Sequence, residues 1–337
     1  MPMKIAVLGL GFMGSVHLRA LRDIEGAELA AVFSNDERQL SGDLSATQGN
    51  IGGPAGHFDF SAIKRYRELA DVFADPDIEA VDLCLPTHFH ESATVQALRA
   101  GKHVLVEKPM ALDGPAARRM VAEAGRSGRI LMAAQVIRFF PEYVALRDSL
   151  PRLGRVRSAF FRRRCAAPAW GGWLKDPAKS GGGVFDLLIH DLDFCLHLFG
   201  APQAIDATGN CDPASGIDLI DARLYYPFGA VTVAGGWQKS GAYPFGMEYS
   251  VTGEHGAMEF HSAGRPPTLY AEDAEPLHLE VCDGYAAEIA YFIECCRANR
   301  KPDRCPPEES AYVVELMREL LAARERNGEK ISCSNQE

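Results

Sequence analysis

Apolar residues in the first 135 positions fall into short runs separated by longer periodic stretches. Lys4-Ile5-Ala6-Val7-Leu8, Glu28 to Phe33, Ala80 to Leu85, His103 to Glu107 and Ile130 to Ala134 read as buried strands. Helical spacing follows Gly14 to about Asp23, then covers Tyr66 to Ala74, the stretch up to Ala100, and Gly114 to Ser127. Gly101 and Gly128 are the stops of the last two helices. Strands alternating with helices of about 10–15 residues imply a parallel sheet. One stretch departs from this rhythm. From Ser41 to Phe60 the chain holds Gly42, Gly49, Gly52, Gly53 and Gly56, and it reads as a long surface excursion.

After Ala134 the pattern changes. Gln135 to Pro141 breaks the alternation, and a helix over Glu142–Leu150 and a strand over Val156–Arg164 follow. A strongly apolar helix then begins at Val184. Ala204–Gly209, Ile217–Tyr226, Ala230–Trp237, Met247–Gly253 and Gly256–Phe260 come next without intervening helices, which predicts an antiparallel or mixed sheet. Helices over Tyr285–Asn299 and Glu308–Arg326 close the chain. The class is α/β, with two domains divided as 1–136 and 137–337, because 337 residues exceed one typical core.

Composition adds limits. At 47% hydrophobic and 24% charged the chain is of ordinary globular type, and a net charge of −10 disfavours nucleic acid as a partner. Arg162-Arg163-Arg164 is a local exception, read as a solvated strand end. Nine cysteines without a CxxC pair point to reduced thiols in a cytoplasm. Met1-Pro2-Met3-Lys4 runs straight into a strand, so no signal peptide is expected. No apolar run approaches the roughly 20 residues of a membrane span.

Two stretches carry chemistry. Gly9-Leu10-Gly11-Phe12-Met13-Gly14 is G-x-G-x-x-G after a strand and opening a helix, the context in which glycines cradle a pyrophosphate. A Gly-rich turn without a ligand is the plain alternative. At the end of the next strand an acid would hold the ribose of NAD, but Ser34 stands there, followed by Asn35, Asp36, Glu37 and Arg38. Ser34 does not repel a 2′-phosphate, Arg38 stands where one would be met, and Asp36 stands within reach of a ribose, so NAD and NADP both stay open. The strand Val104-Leu105-Val106 then ends in Glu107-Lys108-Pro109, lifting a lysine to the carboxyl edge of the sheet, where open α/β folds bind ligands.

The other stretch is Gly181-Gly182-Gly183 and the helix after it. Asp186 and His190 are i and i+4 and share one face, while Leu187, Leu188, Ile189 and Leu192 are apolar. A polar pair on a buried helix reads either as a structural Asp–His bond or as a proton-transfer histidine held by a carboxylate. The three glycines would let a substrate approach the helix start. His88 and His90 form H-x-H without a convincing third ligand, so no metal is expected, and a helix cap or a place in the nicotinamide pocket suits them better.

Together the glycine motif, Glu107-Lys108-Pro109, and Gly181-Gly182-Gly183 with Asp186 and His190 resemble the Gfo/Idh/MocA oxidoreductases. The resemblance covers most of the chain. It implies an N-terminal Rossmann domain and a C-terminal α+β domain whose open, largely antiparallel sheet forms a homodimer or homotetramer contact. It also implies NAD(P)-dependent hydride transfer at a hydroxyl or ketone carbon of a sugar, cyclitol or related polyol. Lys108, Asp186 and His190 match the family's catalytic positions. Gly9, Gly11, Phe12, Met13, Gly14, Ser34, Arg38, Leu85, Pro86, His88, Glu107 and Lys108 fall where the cofactor would bind. Arg138, Trp173 and Tyr243 join Lys108, Asp186 and His190 as the expected substrate wall. Two positions depart from the family pattern: Ser34 replaces the common acid, and His88 stands where Asn is frequent. The alternatives are a dinucleotide-binding sensor without turnover and a reductase of a non-sugar substrate.

Overall fold

The computed structural model describes residues 1–49, 56–170, 172–212 and 214–333. The chain divides into two compact units, Met1–Val136 with Cys282–Tyr312, and Ile137–Val281 with Val313 onward. The second domain, expected as one run from 137, is therefore interrupted, because Cys282–Tyr312 returns to the first unit.

The first unit runs β1 (Met3–Leu8), α1 (Phe12–Leu21), β2 (Ala27–Phe33), α2 (Glu37–Leu40), β3 (Lys64–Tyr66), α3 (Leu69–Ala74), β4 (Ala80–Leu83), α4 (His90–Arg99), β5 (His103–Glu107), α5 (Gly114–Ser127) and β6 (Leu131–Ala134). The second contains α6 (Pro141–Leu153), β7 (Val156–Ala166), α7 (Pro177–Ser180), α8 (Gly182–Phe199), β8 (Ala204–Asp212), β9 (Ile217–Tyr226), β10 (Gly229–Gln238), β11 (Gly246–Gly253), β12 (Gly256–His261), β13 (Arg265–Tyr270) and β14 (Ala274–Pro276). Then come α9 (Gly284–Ala298), α10 (Pro307–Glu325) and β15 (Ile331–Ser332). Gly52 and Gly53 of the glycine-rich excursion, and Gly171, lie outside the described residues.

The first sheet is parallel in the order β3-β2-β1-β4-β5-β6. The order reverses between β1 and β4, which makes that edge the ligand crevice of an open α/β sheet. Local signals fix the ends of its helices. Asp113 caps α5 by accepting from the Ala116 N–H at 2.8 Å, and Gly128 ends it in the left-handed conformation. The strand β3 escaped sequence reading because Lys64-Arg65-Tyr66 is an edge strand with little apolar content.

The second sheet is mixed, in the order β14-β13-β12-β11-β7-β10-β9-β8-β15. Only the β7–β10 pairing is parallel among its strand pairs. Helix α8 packs on β7, β9 and β10. Along β7 the inward positions are Ala159, Phe161, Arg163 and Cys165. Arg163 is therefore not part of a solvated strand end. It is 3% exposed, and its Nε donates to Asp191 Oδ2 at 2.8 Å while Nη2 donates to the Tyr143 hydroxyl at 2.9 Å. Arg162 and Arg164 point the other way and pair with Glu248 and Asp221.

Arg138 makes a second tether. Its Nε and Nη2 each donate to the Asp193 carboxylate at 2.7 Å, and both side chains are fully buried. Such a pair is worth little against an apolar replacement, yet breaking one side strands a buried charge. An Arg138→Met variant is expected to lose about 3–5 kcal/mol of stability. Adding Asp193→Leu should return most of it. Thermal unfolding of the single and double variants checks this; equal loss in both would show that the arginine acts through packing rather than charge.

Candidate active site

The glycine turn is built for close approach. Gly9 has φ +99°, and a Cβ there would lie 2.6 Å from the Cys84 carbonyl oxygen. A Cβ on Gly14 would lie 1.9 Å from the Gly9 oxygen, so the helix can pack against the turn only as glycine. Gly11 differs: a Cβ there would meet nothing within 4 Å. No side chain caps the first turn of α1. Open space over Gly11 and uncapped N–H groups beside it fit a dinucleotide pyrophosphate. Phe12 and Met13 are half-buried at that turn, and the excursion folds back on it, since a Cβ on Gly49 would strike the Phe12 ring at 2.0 Å.

The selector position is internally bonded. The Ser34 hydroxyl donates to Gln39 Oε1 at 2.6 Å and accepts the Asp36 N–H at 3.1 Å, and Ser34 is buried. Asp36 caps α2 through the Arg38 N–H. The Arg38 guanidinium is held by Asp43 at 2.6 Å and by Ser45 at 3.0 Å, which keeps the Asp43 carboxyl well below its usual range. Meeting a 2′-phosphate would require Arg38 to leave Asp43.

At the ends of β4 and β5 the loops are joined by one ring. His90 has Nε2 2.7 Å from the Leu85 oxygen and Nδ1 2.9 Å from the Pro109 oxygen, and burial pushes its pKa down. Leu85 and Pro86 are half-buried in this loop. His88 sits in the turn Thr87–Phe89 with its ring 4.1 Å from that of Phe89. The Lys108–Pro109 peptide is cis. Lys108 is half-buried, and its main-chain N–H donates to Glu107 Oε2 at 2.9 Å. Glu107 is buried, with Oε1 3.1 Å from His17 Nε2, and His17 Nδ1 lies 2.8 Å from Asp82 Oδ2. Burial opposes charge on His17, but Asp82 and then Cys84 outweigh it and hold its pKa well above 6.5. Burial and Asp82 push the Cys84 thiol up, so it stays protonated.

In the second unit, thirteen residues of α8 are buried. In its first half Asp186 and His190 are the half-open side chains after the glycines, one turn apart on one face. Trp237 Nε1 donates to Asp186 Oδ2 at 3.3 Å, and Trp237 packs with Cys165 and Leu187. The glycines serve packing. A Cβ on Gly181, Gly182 or Gly183 would strike Phe185, Asp218 or Trp237 within 2.7 Å. Asp218 accepts the Val184 N–H at 3.0 Å and pairs with Arg324 at 2.8 Å.

Residues 3–135 match the family model described as "Oxidoreductase family, NAD-binding Rossmann fold", and residues 151–259 match the GFO/IDH/MocA C-terminal domain. A trans-1,2-dihydrobenzene-1,2-diol dehydrogenase from Bos taurus is 32% identical over 280 residues, 77% of this chain and 82% of that protein. The chain belongs to the Gfo/Idh/MocA family. A D-glucoside 3-dehydrogenase from Escherichia coli K12 is 26% identical over 333 residues, 95% of this chain and 83% of that protein. In fold, an aldose-aldose oxidoreductase from Caulobacter crescentus superposes with a TM-score of 0.84 at 21% identity, covering 99% of this chain and 100% of that one. This Gfo/Idh/MocA protein is an NAD(P)-dependent oxidoreductase.

One expected position changes meaning within the family fold. Arg138, expected in the substrate wall, is 1% exposed and committed to Asp193, with His197 Nδ1 3.3 Å from Nη1. Sequence reasoning missed His17, although a histidine three residues after Gly14 on a buried helix needs a partner. Trp173 and Tyr243 are half-buried in loops and remain candidates for the wall. Among the described residues no helix is long and apolar enough to cross a membrane.

Two outcomes follow from this geometry. A Ser34→Asp variant places an acid at the selector and should weaken NADP relative to NAD by about tenfold or more in Kd. An unchanged ratio would remove Ser34 as the selector. For His17, the raised folded pKa means that its ion pair stabilises fully near and below about pH 6.5 and is lost as pH rises through the folded value. The Tm gap between wild type and His17→Leu should therefore narrow on going alkaline; a widening gap would overturn the imidazolium assignment.

Proposed function

We propose that this oxidoreductase interconverts a carbinol and a ketone on a sugar, cyclitol or related polyol, with Lys108, Asp186 and His190 as its catalytic residues. The observation that carries the reading is the contrast on α8: Asp191 and Asp193 are fully buried and tethered to arginines, whereas Asp186 and His190 stay half-open. Partly exposed polar groups on a buried helix are the ones a substrate can reach. Relatives that act on a glucoside and an aldose support the substrate class.

Bound NAD or NADP supplies the hydride chemistry. Gly9, Gly11, Phe12, Met13 and Gly14 would hold its pyrophosphate, and Leu85, Pro86 and His88 would line the loop beside it. His190 takes the hydroxyl proton in oxidation and returns it in reduction. Lys108 donates a hydrogen bond to the same oxygen and stabilises its developing negative charge. Asp186 orients His190 or binds a neighbouring hydroxyl. The reading requires Lys108 and His190 to reach one oxygen. It extends to a homodimer or homotetramer through the second sheet and to a cytoplasmic enzyme, in keeping with nine cysteines that form no disulfide.

NAD(P)H absorbance against a panel of polyols, sugars and dihydrodiols tests the substrate class. Turnover on a polyol or sugar is expected. Lys108→Ala and His190→Asn should each lower kcat by about 10²-fold or more while dinucleotide binding is kept. Full turnover in Lys108→Ala would end the assignment of the lysine. Turnover confined to dihydrodiols would replace the substrate class, and silence across the panel with tight dinucleotide binding would favour a sensor.

A further inference from the structure

Beneath the glycine turn lies a polar network that the proposed chemistry does not use. His17 comes from α1, Asp82 from β4 and Glu107 from β5, and they are 0%, 1% and 6% exposed. The imidazole bridges the two carboxylates, with Nδ1 2.8 Å from Asp82 and Nε2 3.1 Å from Glu107. A ring that faces a carboxylate oxygen at each nitrogen satisfies both only when both nitrogens carry protons. The other groups facing the ring are the Cys84 thiol, 3.5 Å from Nδ1, and the Tyr285 ring from α9, with centroids 6.1 Å apart.

The network does not end in the core. The second oxygen of Glu107 accepts the main-chain N–H of Lys108 at 2.9 Å. A continuous path of polar contacts therefore runs from the helix of the dinucleotide turn, through an ion-pair contact between the ring and one carboxylate, to the hydrogen-bonded backbone of the lysine. Without the imidazole beside it, Glu107 would be a buried carboxylate short of its counter-charge, free to rotate or to take up a proton. Either change would release the amide it holds.

We propose that His17 is a positioning residue, which fixes the Glu107 carboxylate and through it the main chain of Lys108. This rests on the reading of Lys108 as catalytic. The helix that receives the dinucleotide and the strand that presents the lysine are thereby held in register by a single side chain. A displacement of about 1 Å at a reacting group can cost 10²-fold in rate, so the network bears on turnover rather than on cofactor affinity.

Two substitutions separate positioning from bulk structure. His17→Asn keeps an amide donor near Asp82 and gives up the reach to Glu107. His17→Gln extends a donor toward Glu107. In 15N-lysine-labelled protein without cofactor, the Lys108 amide resonance, assigned by its loss in Lys108→Arg, should move further in His17→Asn than in His17→Gln. In turnover, His17→Asn should lose about tenfold to a hundredfold more kcat than His17→Gln, with dinucleotide Kd values of the two within about threefold. Equal effects of the two variants on the resonance and on kcat, or a loss confined to dinucleotide Kd, would overturn the proposal. Wild-type turnover in Lys108→Ala would instead remove the catalytic reading of the lysine, and the amide resonance would still decide whether His17 positions it.

Discussion

A helix that carries three aspartates and two histidines can be buried only if its charges are paired, and α8 is the helix on which the second unit closes. Asp191 and Asp193 lie where no water reaches, and each meets an arginine from a different direction, Arg163 from β7 and Arg138 from the chain entering the unit. Both contacts are two-pronged, which fixes orientation as well as distance. Rolling α8 by even a fraction of a turn would break both at once. The face that carries Asp186 and His190 is therefore set by Asp193, which shares it, and by Asp191 on another face.

The first unit solves a related problem with histidine. Its parallel strands bring Asp82 and Glu107 to neighbouring positions near the carboxyl edge, where two buried carboxylates would repel. His17, protonated between them, makes the arrangement tenable. The same edge carries the glycine turn and the lysine, so the polar network lies directly under the ligand crevice. His90 adds a link between the β4 and β5 loops, which keeps the crevice walls together.

Much of this was legible in the sequence, and the failures share a cause. Apolar periodicity locates the main strands of the first sheet, because buried parallel strands are nearly continuous apolar runs. Helix α5 is marked by its cap and its stop and matches the structure at both ends. What stayed hidden were polar residues with interior partners. Arg163 reads as part of a basic run, although the alternation Ala159, Phe161, Arg163, Cys165 places it inward; the partner that makes this possible lies 28 positions on. Arg138 looked like a ligand-binding arginine for the same reason. The glycines at 181–183 signalled close approach correctly, but what approaches is Phe185, Asp218 and Trp237. The return of Cys282–Tyr312 to the first unit has no local signal at all, since an apolar helix face does not name the surface it covers.

This failure is also informative about function. Sequence reasoning treats every polar residue in an apolar context as a candidate, because burying one without a partner costs free energy. Structure divides such residues into those that are fully buried against a partner and those whose side chains stay partly exposed. Glu107 and Lys108 are adjacent and fall on opposite sides of that division: the carboxylate is filled by His17 and by the lysine's own amide, while the lysine side chain stays half-open. Asp186 and Asp191 divide in the same way along one helix. In the first unit the buried group sits next to the partly exposed one and holds its main-chain N–H. A partly exposed group beside a buried one whose own position is over-determined has its backbone fixed by that neighbour. On that principle, the Glu107 carboxylate, held from two sides, fixes the main chain from which the Lys108 side chain leaves.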